Sequence, residues 1–374
     1  MSKETHMATY NVALIGTGRV GYQFDFDPEL PDNHASAVTR EDRTELVAGV
    51  NRGREKLEQF GERFQVDALF HDYEKMLDEV QPDICIIATH PELHCEMVIG
   101  CAARSTTKAI ICEKPMALSV GECDRMIEAC DQAGIPLQIN HNRRWSAEWN
   151  YAKQLIDEGV IGKLNHIYVS MEGCKPSPSW RSENEGPLLH DFTHAFDQMD
   201  MLAGEIDWLC GMAEQRMRPW AVEDFSAAMI RFKSGVTGLI HGAELTDFQS
   251  FDFELRGSEG VIRIQAEKIE LLQSVERMVE PDSGFRWASL DPKEIDHPAP
   301  VSTYVLALEE LLDALEGKAT LRSDGRIGRR SMEVVMAIYQ SQLNDCAKIS
   351  FPISMMGSGV EELRKAGAFT DQTQ

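Results

Sequence analysis

The stretch Tyr10-Asn-Val-Ala-Leu-Ile15, followed by Gly16-Thr-Gly-Arg-Val-Gly21, decides the fold of this 374-residue chain. Its first half is a short apolar run, which predicts a buried β-strand. In its second half the first glycine permits a tight turn, the second lets a pyrophosphate approach the backbone, and the third lets a following helix pack on the strand. The positive end of that helix would face the phosphates. The predicted dinucleotide contacts here are Gly16, Thr17, Gly18, Arg19, Val20 and Gly21.

The next 120 residues repeat the alternation of apolar runs and helical patterns. Further strands are predicted at 46–50, 83–88, 109–112 and 135–140, with helical stretches between them. Strands that alternate with helices favour right-handed crossovers and a parallel sheet. We therefore predict an α/β Rossmann dinucleotide-binding domain over residues 8–142.

The pattern changes after residue 145. Strand-like runs, separated by turn-forming glycines, occur at 165–170, 225–232, 236–243, 250–256 and 260–265. Helices are predicted at 149–158, 301–315 and 327–343. Successive strands joined by short turns favour antiparallel pairing. Residues 143–374 are therefore predicted to form an α+β domain with a large, mostly antiparallel, open-faced sheet that binds substrate and mediates oligomerisation.

Composition excludes several classes of partner. The net charge of −24 would repel phosphate backbones, so nucleic-acid binding is not expected. No apolar run approaches the roughly 18 residues of a membrane span, and the first residues lack the apolar core of a secretory signal. The nine cysteines are scattered without a Cys-x-x-Cys pair, which favours a reducing, cytoplasmic location and argues against a thiolate metal site.

A charged tripeptide ends the strand predicted at 109–112. The run Ala109-Ile-Ile-Cys-Glu-Lys-Pro115 places Lys114 between a carboxylate and a residue that stops the strand. Ligands of open α/β sheets collect at the carboxyl ends of the strands, so an ammonium group there can touch a reacting oxygen. The alternative is a surface lysine that caps a strand.

The end of the second strand bears on cofactor choice. An acidic residue at this point favours NAD, but Asn51 stands here, followed by Arg52-Gly-Arg54. An amide beside two arginines removes the repulsion of a 2′-phosphate and offers it a clamp. We therefore predict NAD or NADP as cofactor, with a slight lean to NADP or dual use; the alternative is that both arginines face solvent.

Taken together, these features resemble the glucose–fructose oxidoreductase, inositol dehydrogenase and rhizopine-catabolism family (Gfo/Idh/MocA). The resemblance covers nearly the whole chain. It rests on the glycine turn, Thr89, His94, Glu113-Lys114-Pro115, Gly162-Lys-Leu, Trp180-Arg181, and the segments 186–197 and 255–260. It implies cofactor contacts beyond the glycine turn at Asn51, Arg52, Thr89, His90, His94, Glu113 and Lys114.

The resemblance also implies catalytic roles. Lys114 corresponds to the lysine that touches the nicotinamide and the substrate oxygen, and its bond to Pro115 is often cis in such proteins. His194 corresponds to the active-site histidine. Many members carry an aspartate four residues before that histidine, whereas this chain has His190 there and the aspartate at Asp191. The predicted catalytic residues are Lys114, His194, His190 and Asp191.

Spacing alone leaves three interpretations of this segment. His190, His194 and Asp197 would share one face of a helix. Two imidazoles and a carboxylate on one stripe suit an acid/base relay, and the His-x-x-x-His spacing also occurs in zinc sites. A packed, hydrogen-bonded His190 is the third interpretation. We favour His194 as the catalytic base and predict no metal.

Polar and aromatic residues elsewhere suit a polyhydroxylated or anionic ligand. One group follows the strand at 135–140, and the second lies in the other half of the chain. The predicted substrate contacts are Asn142, Arg143, Trp180 and Arg181.

The leading hypothesis is an NAD(P)-dependent oxidoreductase that transfers hydride between the nicotinamide and a secondary alcohol or ketone of a sugar, sugar derivative or cyclitol. Two alternatives are a redox-cycling glycoside hydrolase or lyase that retains its cofactor, and a non-catalytic dinucleotide-sensing regulator. Since relatives assemble through the open sheet, the resemblance also implies a homodimer or homotetramer.

Overall fold

A computed structural model describes residues 10–25, 27, 29–174, 184–266 and 268–370. The chain forms two compact units. The first comprises the chain up to Ser146 together with Pro300–Met332, and the second comprises Ala147–Ala299 and the chain from Glu333 onward. The domain boundaries 8–142 and 143–374 stay a prediction.

The first unit contains a six-stranded parallel sheet. Its strands are β1 (Tyr10–Ile15), β2 (Thr44–Val50), β3 (Ala68–Phe70), β4 (Ile84–Ile87), β5 (Ala109–Cys112) and β6 (Leu137–Ile139). They lie in the order β3-β2-β1-β4-β5-β6, and each neighbouring pair is parallel. This order is that of a doubly wound dinucleotide-binding sheet. The predicted Rossmann fold is confirmed.

Among the described residues, six α-helices belong wholly to the first unit. They are α1 (His34–Arg40), α2 (Arg54–Phe64), α3 (Tyr73–Val80), α4 (His94–Ala102), α5 (Val120–Ala133) and α8 (Thr303–Leu315). The central strands are buried along their length, as in Val12 and Ile86, because helices cover both faces of such a sheet. Leu308 and Leu311 of α8 join the same core, so a segment from late in the sequence completes this unit.

The helix predicted after the glycine turn is interrupted. A single π-helical turn, Arg19–Gln23, follows Gly18, and α1 begins only at His34. The side chain of Asn33 caps α1 by accepting from the N–H of Ser36 at 2.8 Å and donates to the carbonyl of Phe24. The connection is thus held at both ends. An acidic segment therefore separates the π-helical turn from α1.

The second unit is built on a nine-stranded sheet. Its strands are β7 (Leu164–Glu172), β8 (Ile206–Glu214), β9 (Phe225–Phe232), β10 (Thr237–Ala243), β11 (Ser250–Gly257), β12 (Gly260–Gln265), β13 (Lys268–Val279), β14 (Arg286–Lys293) and β15 (Ile349–Ser350). The order is β14-β13-β12-β11-β7-β10-β9-β8-β15. Among the described strands of this sheet, only β7 and β10 pair in parallel. The predicted mostly antiparallel sheet is confirmed.

Helices cover one face of this sheet. They include α6 (Ala147–Asp157), α7 (Thr193–Ala203) and α10 (Gly359–Lys365), while α9 (Gly325–Leu343) runs from the first unit into the second. Trp149 of α6 packs edge-on against Phe253 of β11, with ring centroids 4.7 Å apart. Strand residues alternate between buried and exposed, so the opposite face of the sheet is open.

Three large apolar side chains form a row across the open face. In the sheet register Leu239 of β10 lies opposite Tyr168 of β7 on one side and Met229 of β9 on the other. Each of the three is between 36% and 40% exposed. A cross-strand row of this kind is a contiguous apolar surface rather than a scatter of single residues.

Within the described residues, no helix is both long enough and apolar enough to cross a bilayer.

Candidate active site

The predicted cofactor contacts gather at one edge of the parallel sheet. The glycine turn follows β1, Asn51 and Arg52 follow β2, and the remaining contacts follow β4 and β5. Since parallel strands point the same way, their carboxyl ends share that edge, where open α/β sheets bind their ligands. The first unit therefore brings these residues to one place.

The three glycines of the turn have distinct surroundings. Gly16 has φ +107°, a conformation that other residues rarely adopt, and a Cβ there would strike the carbonyl of Ala88. A Cβ on Gly21 would collide with the carbonyl oxygen of Gly16. A Cβ on Gly18, by contrast, would meet nothing within 4 Å. The open position is the one where a pyrophosphate approaches the backbone, so the turn fits a dinucleotide.

Asn51 and the neighbouring arginines have separate roles. The Asn51 amide donates to the hydroxyl oxygen of Thr17 at 2.7 Å and so ties the end of β2 to the glycine turn. Arg54 forms an exposed ion pair with Glu58 at 2.7 Å. Arg52 is exposed and makes no hydrogen bond or ion pair to any residue that the structure describes. Its guanidinium is therefore available to an anion.

The loop after β4 contains Thr89, His90 and His94. His90 is exposed and Thr89 half-buried, whereas His94 is fully buried. The ring nitrogens of His94 lie 3.0 Å from the carbonyl oxygen of Pro115 and 3.2 Å from that of Thr89. A neutral imidazole carries one N–H and donates to one carbonyl at a time. His94 therefore lies between two loops of the sheet edge and, when neutral, donates to one of them.

Lys114 follows a buried carboxylate. The Lys114–Pro115 peptide bond is cis, as the resemblance implies. Lys114 is half-buried, while Glu113 is only 5% exposed. One Glu113 oxygen accepts from the backbone N–H of Lys114 at 3.2 Å, so the carboxylate fixes the backbone that carries the lysine.

Two residues that sequence reasoning missed hold Glu113. The ring Nε2 of His34 lies 2.8 Å from Glu113 Oε1, and the Asn140 amide donates to the same oxygen at 2.6 Å. Burial alone would raise the pKa of Glu113. The bonds from His34 and Asn140, together with the charge of Lys114, outweigh it and hold that pKa below its usual value. No local pattern links these residues, since His34 lies 79 positions from Glu113.

An aromatic residue from α8 closes this cluster. The ring of Tyr304 packs edge-on against His34, with centroids 4.9 Å apart. Burial raises the pKa of the Tyr304 phenol well above its usual value, and the charge of Glu113 adds to that rise. The Tyr304 phenol is therefore neutral and lies near the buried Glu113 carboxylate.

Two of the four predicted substrate residues, Asn142 and Arg143, lie within the described part of the chain. Asn142 and Arg143 are half-buried on a short 3₁₀ helix, Asn142–Trp145, directly after β6. The other two aromatic or basic residues of that helix support the fold: Arg144 donates to the Arg322 carbonyl at 3.1 Å, and the Trp145 indole donates to Glu310 at 3.1 Å. Trp180 and Arg181 lie outside the described residues.

The predicted catalytic residues of the second unit lie on a distorted helix. A π-helical segment, Leu188–Phe192, runs directly into α7. Between residues 185 and 199 three side chains are half-exposed and all the others are buried. Those three are His190, Asp191 and His194. Asp197, which the helical spacing placed on their face, is fully buried and accepts from the Gln198 amide at 3.2 Å.

His190 has a carboxylate partner that the sequence did not predict. Its Nδ1 lies 2.7 Å from Oε1 of Glu185, which is 3% exposed. Its Nε2 lies 3.9 Å from an oxygen of Asp191. Among the described residues, no group of three or more His, Cys, Asp or Glu side chains is arranged to hold a metal ion.

Comparison with known proteins assigns both units. Residues 10–141 match a family model described as the oxidoreductase family with an NAD-binding Rossmann fold. Residues 149–263 match the GFO/IDH/MocA C-terminal domain. The dinucleotide-binding prediction is confirmed, and the choice between NAD and NADP stays a prediction.

Individual relatives and solved structures agree with this assignment. The chain is 26% identical over 351 residues to D-apiose dehydrogenase of Paraburkholderia graminis, which covers 90% of this chain and 88% of the relative. It is 25% identical to myo-inositol 2-dehydrogenase of Thermotoga maritima, over 74% of this chain and 80% of the relative. The WlbA dehydrogenase of Bordetella pertussis, solved with NADH and UDP-GlcNAcA, superimposes with a TM-score of 0.75 at 24% identity, over 92% of this chain and 99% of that one.

The glycine geometry predicts two different alanine phenotypes. Gly18→Ala should leave the thermal unfolding midpoint unchanged but weaken NAD⁺ and NADP⁺ binding about 10- to 100-fold, because overpacking costs about 1–3 kcal/mol. Gly21→Ala should lower the unfolding midpoint as well, since its Cβ meets backbone. Isothermal titration calorimetry and scanning calorimetry measure the two effects. Wild-type affinity in Gly18→Ala would contradict this geometry.

The buried Glu113 predicts a dependence of stability on pH. Because its folded pKa is depressed, its contribution is present above its unfolded value of about 4.5 and is lost as pH falls through the lower folded value. The difference in unfolding free energy between wild type and Glu113→Gln should be constant near neutral pH and shrink below pH 4.5. Urea denaturation across pH measures it. An exposed control, Glu128→Gln, should follow wild type throughout, and a Glu113 difference that grows in acid would refute the assignment.

Proposed function

The chain belongs to the Gfo/Idh/MocA oxidoreductase family, and we propose that it transfers hydride between a nicotinamide dinucleotide and a secondary alcohol or ketone of a sugar, sugar derivative or cyclitol. The observation that carries the proposal is Lys114, held by buried Glu113 at the ligand-binding edge of a sheet whose glycine turn fits a dinucleotide. Relatives that match over most of this chain are named for apiose and myo-inositol oxidation. A bound nicotinamide supplies the hydride acceptor or donor.

Lys114 acts on the substrate oxygen in this proposal. As a hydroxyl is oxidised, negative charge develops on its oxygen, and a fixed ammonium group stabilises that charge. Glu113 cannot move to neutralise the lysine from the ligand side, because His34 and Asn140 hold its carboxylate in the interior. Glu113 therefore supports the backbone of Lys114 from the interior.

The proton transfer is assigned to the three half-exposed side chains of the second unit, His190, Asp191 and His194. An imidazole titrates near neutral pH and suits a general base for a hydroxyl. The family pattern gives this role to His194, with His190 or Asp191 assisting. All three are the accessible side chains of an otherwise buried segment, which supports the assignment. Asn142 and Arg143, half-buried at the end of β6, are proposed substrate contacts in the first unit.

Cofactor selection rests on the residues after β2. No carboxylate stands at the position of Asn51, and the Asn51 side chain binds Thr17. Arg52 is exposed beside it and suits a 2′-phosphate. We infer that the protein uses NADP or both dinucleotides. We also infer that it acts in the cytoplasm.

The open sheet face is proposed to join two copies of the chain. The row of Tyr168, Leu239 and Met229 is apolar, and in the sheet register it is flanked by Cys210 beside Met229 and by the charged Glu254 beside Tyr168. A two-fold interface places the same patch on both subunits, so one apolar row packs against its own copy. The result is a homodimer, or a homotetramer if a second surface joins dimers.

A substrate screen with a lysine variant tests the proposed reaction. Sugars, anhydrosugars and cyclitols are offered with NAD⁺ or NADP⁺, and absorbance of the reduced nicotinamide is followed. Lys114→Ala should lower kcat on the best substrate about 10²- to 10³-fold, because a fixed charge no longer stabilises the oxygen. The matched control is Lys108→Ala at the opposite end of β5, where Lys108 pairs with Asp83 at 2.8 Å. Near-normal turnover in Lys114→Ala would refute the role.

Light scattering after size-exclusion chromatography tests the sheet interface. Wild type should elute at a multiple of 42.0 kDa, whereas Leu239→Glu should elute as a monomer because it buries a charge in each half of the contact. Met356→Glu, an equally exposed residue outside the sheet, is the control and should keep the wild-type mass. A monomeric wild type would exclude this interface.

A further inference from the structure

The Glu185–His190 pair determines which nitrogen of the imidazole can accept a proton. Nδ1 faces Glu185 Oε1 at 2.7 Å, within hydrogen-bonding distance. A carboxylate can only accept, so the N–H resides on Nδ1 and the lone pair on Nε2. The Glu185 side chain is 3% exposed and that of His190 is 23% exposed. The carboxylate is therefore interior, and the imidazole reaches the surface.

We propose that in this chain His190 takes the base role that the family pattern gives to His194, and that Glu185 is the residue that positions His190. The proposal rests on the proposed function and adds one proton transfer. The O–H bond of the substrate hydroxyl breaks, an N–H bond forms at Nε2 of His190, and the electron pair stays on oxygen. The Nδ1–H bond to Glu185 persists throughout.

Two carboxylates face the imidazole and strengthen it as a base. Glu185 accepts from Nδ1, and an oxygen of Asp191 lies 3.9 Å from Nε2. The second distance is too long for a hydrogen bond but short enough for attraction to a positive charge. Both carboxylates favour the imidazolium that forms after proton uptake. This arrangement supplies the negative charge that an aspartate at position 190 would bring.

The backbone between the two partners is fixed by a separate buried carboxylate. Glu223 is fully buried, and its oxygens accept from the Leu188 N–H at 2.9 Å and from the Tyr339 hydroxyl at 3.0 Å. A Cβ on Gly186 would collide with that carboxylate, so the chain runs directly against it. The N–H of His190 closes the turn on the Gly186 carbonyl at 2.9 Å. The pair is thus preorganised before any ligand binds.

The kinetic test replaces the charge and keeps the shape. Glu185→Gln should lower kcat/KM for alcohol oxidation about 10²- to 10⁴-fold, the usual worth of a general base. The acidic limb of the pH profile should move to lower pH, because the imidazolium loses a stabilising charge. Glu185→Asp should restore the limb toward its wild-type position. Glu214→Gln, which removes a half-exposed carboxylate from β8, is the matched control and should leave the limb in place.

A second readout needs no substrate. Ring ¹⁵N–¹H NMR of the full unliganded chain follows the titration of His190, whose signal is identified by its loss in His190→Asn. In Glu185→Gln the titration midpoint should fall; an unchanged midpoint in the folded variant overturns the proposal. The proposal is also overturned if the acidic limb of the pH profile persists in His190→Asn. This measurement can still be made if Glu185→Gln does not fold. If wild type oxidises no compound in the screen, the proposed function fails, while the NMR titration still decides whether the pair exists.

Discussion

A carboxylate inside a protein must be compensated, and the first unit is organised around one such group, Glu113. Removing a charge from water costs several kcal/mol unless hydrogen bonds and opposite charge replace hydration. Here the compensation comes from His34 on α1, Asn140 after β6 and the backbone of Lys114. These partners come from separate segments of the first unit. The carboxylate therefore links the start of α1 to the chain after β5 and β6.

Among the described residues, each unit contains a carboxylate–imidazole pair within hydrogen-bonding distance, His34–Glu113 and His190–Glu185, and these two pairs differ in exposure. In the first unit, the His34 and Glu113 side chains are 5% and 7% exposed, so the imidazole contacts the carboxylate inside the protein. In the second, Glu185 is equally buried but His190 reaches the surface. The same chemical pair thus supports a backbone in one unit and presents a nitrogen to solvent in the other. In these two pairs, exposure rather than residue type distinguishes the interior histidine, His34, from the one that reaches the surface, His190.

Local patterns were enough to predict much of the architecture. The glycine turn, the apolar runs of β1, β4 and β5, and the Glu-Lys-Pro after β5 carry their signal within a few residues. Strand β3 was missed because it has only three half-buried residues, and β13 and β14 because their exposed residues lack a clear alternation. His34, Asn140 and Glu185 escaped prediction as site residues for another reason: their contacts depend on how loops and turns meet in the folded chain. A pattern of spacing does not encode such contacts.

The discontinuity of the first unit affects the order in which the protein is made. Gln138 of β6 donates to the Ala307 carbonyl, the Ser323 hydroxyl donates to the Ile139 carbonyl, and Tyr304 packs on His34. During synthesis the ribosome therefore completes all of Ala147–Ala299 before it releases the segment that finishes the sheet edge. A nascent chain cut short before residue 300 carries the glycine turn and Lys114 but lacks α8, whose leucines join the core beneath them. Maturation of the dinucleotide-binding edge thus has to wait for the intervening sequence to emerge.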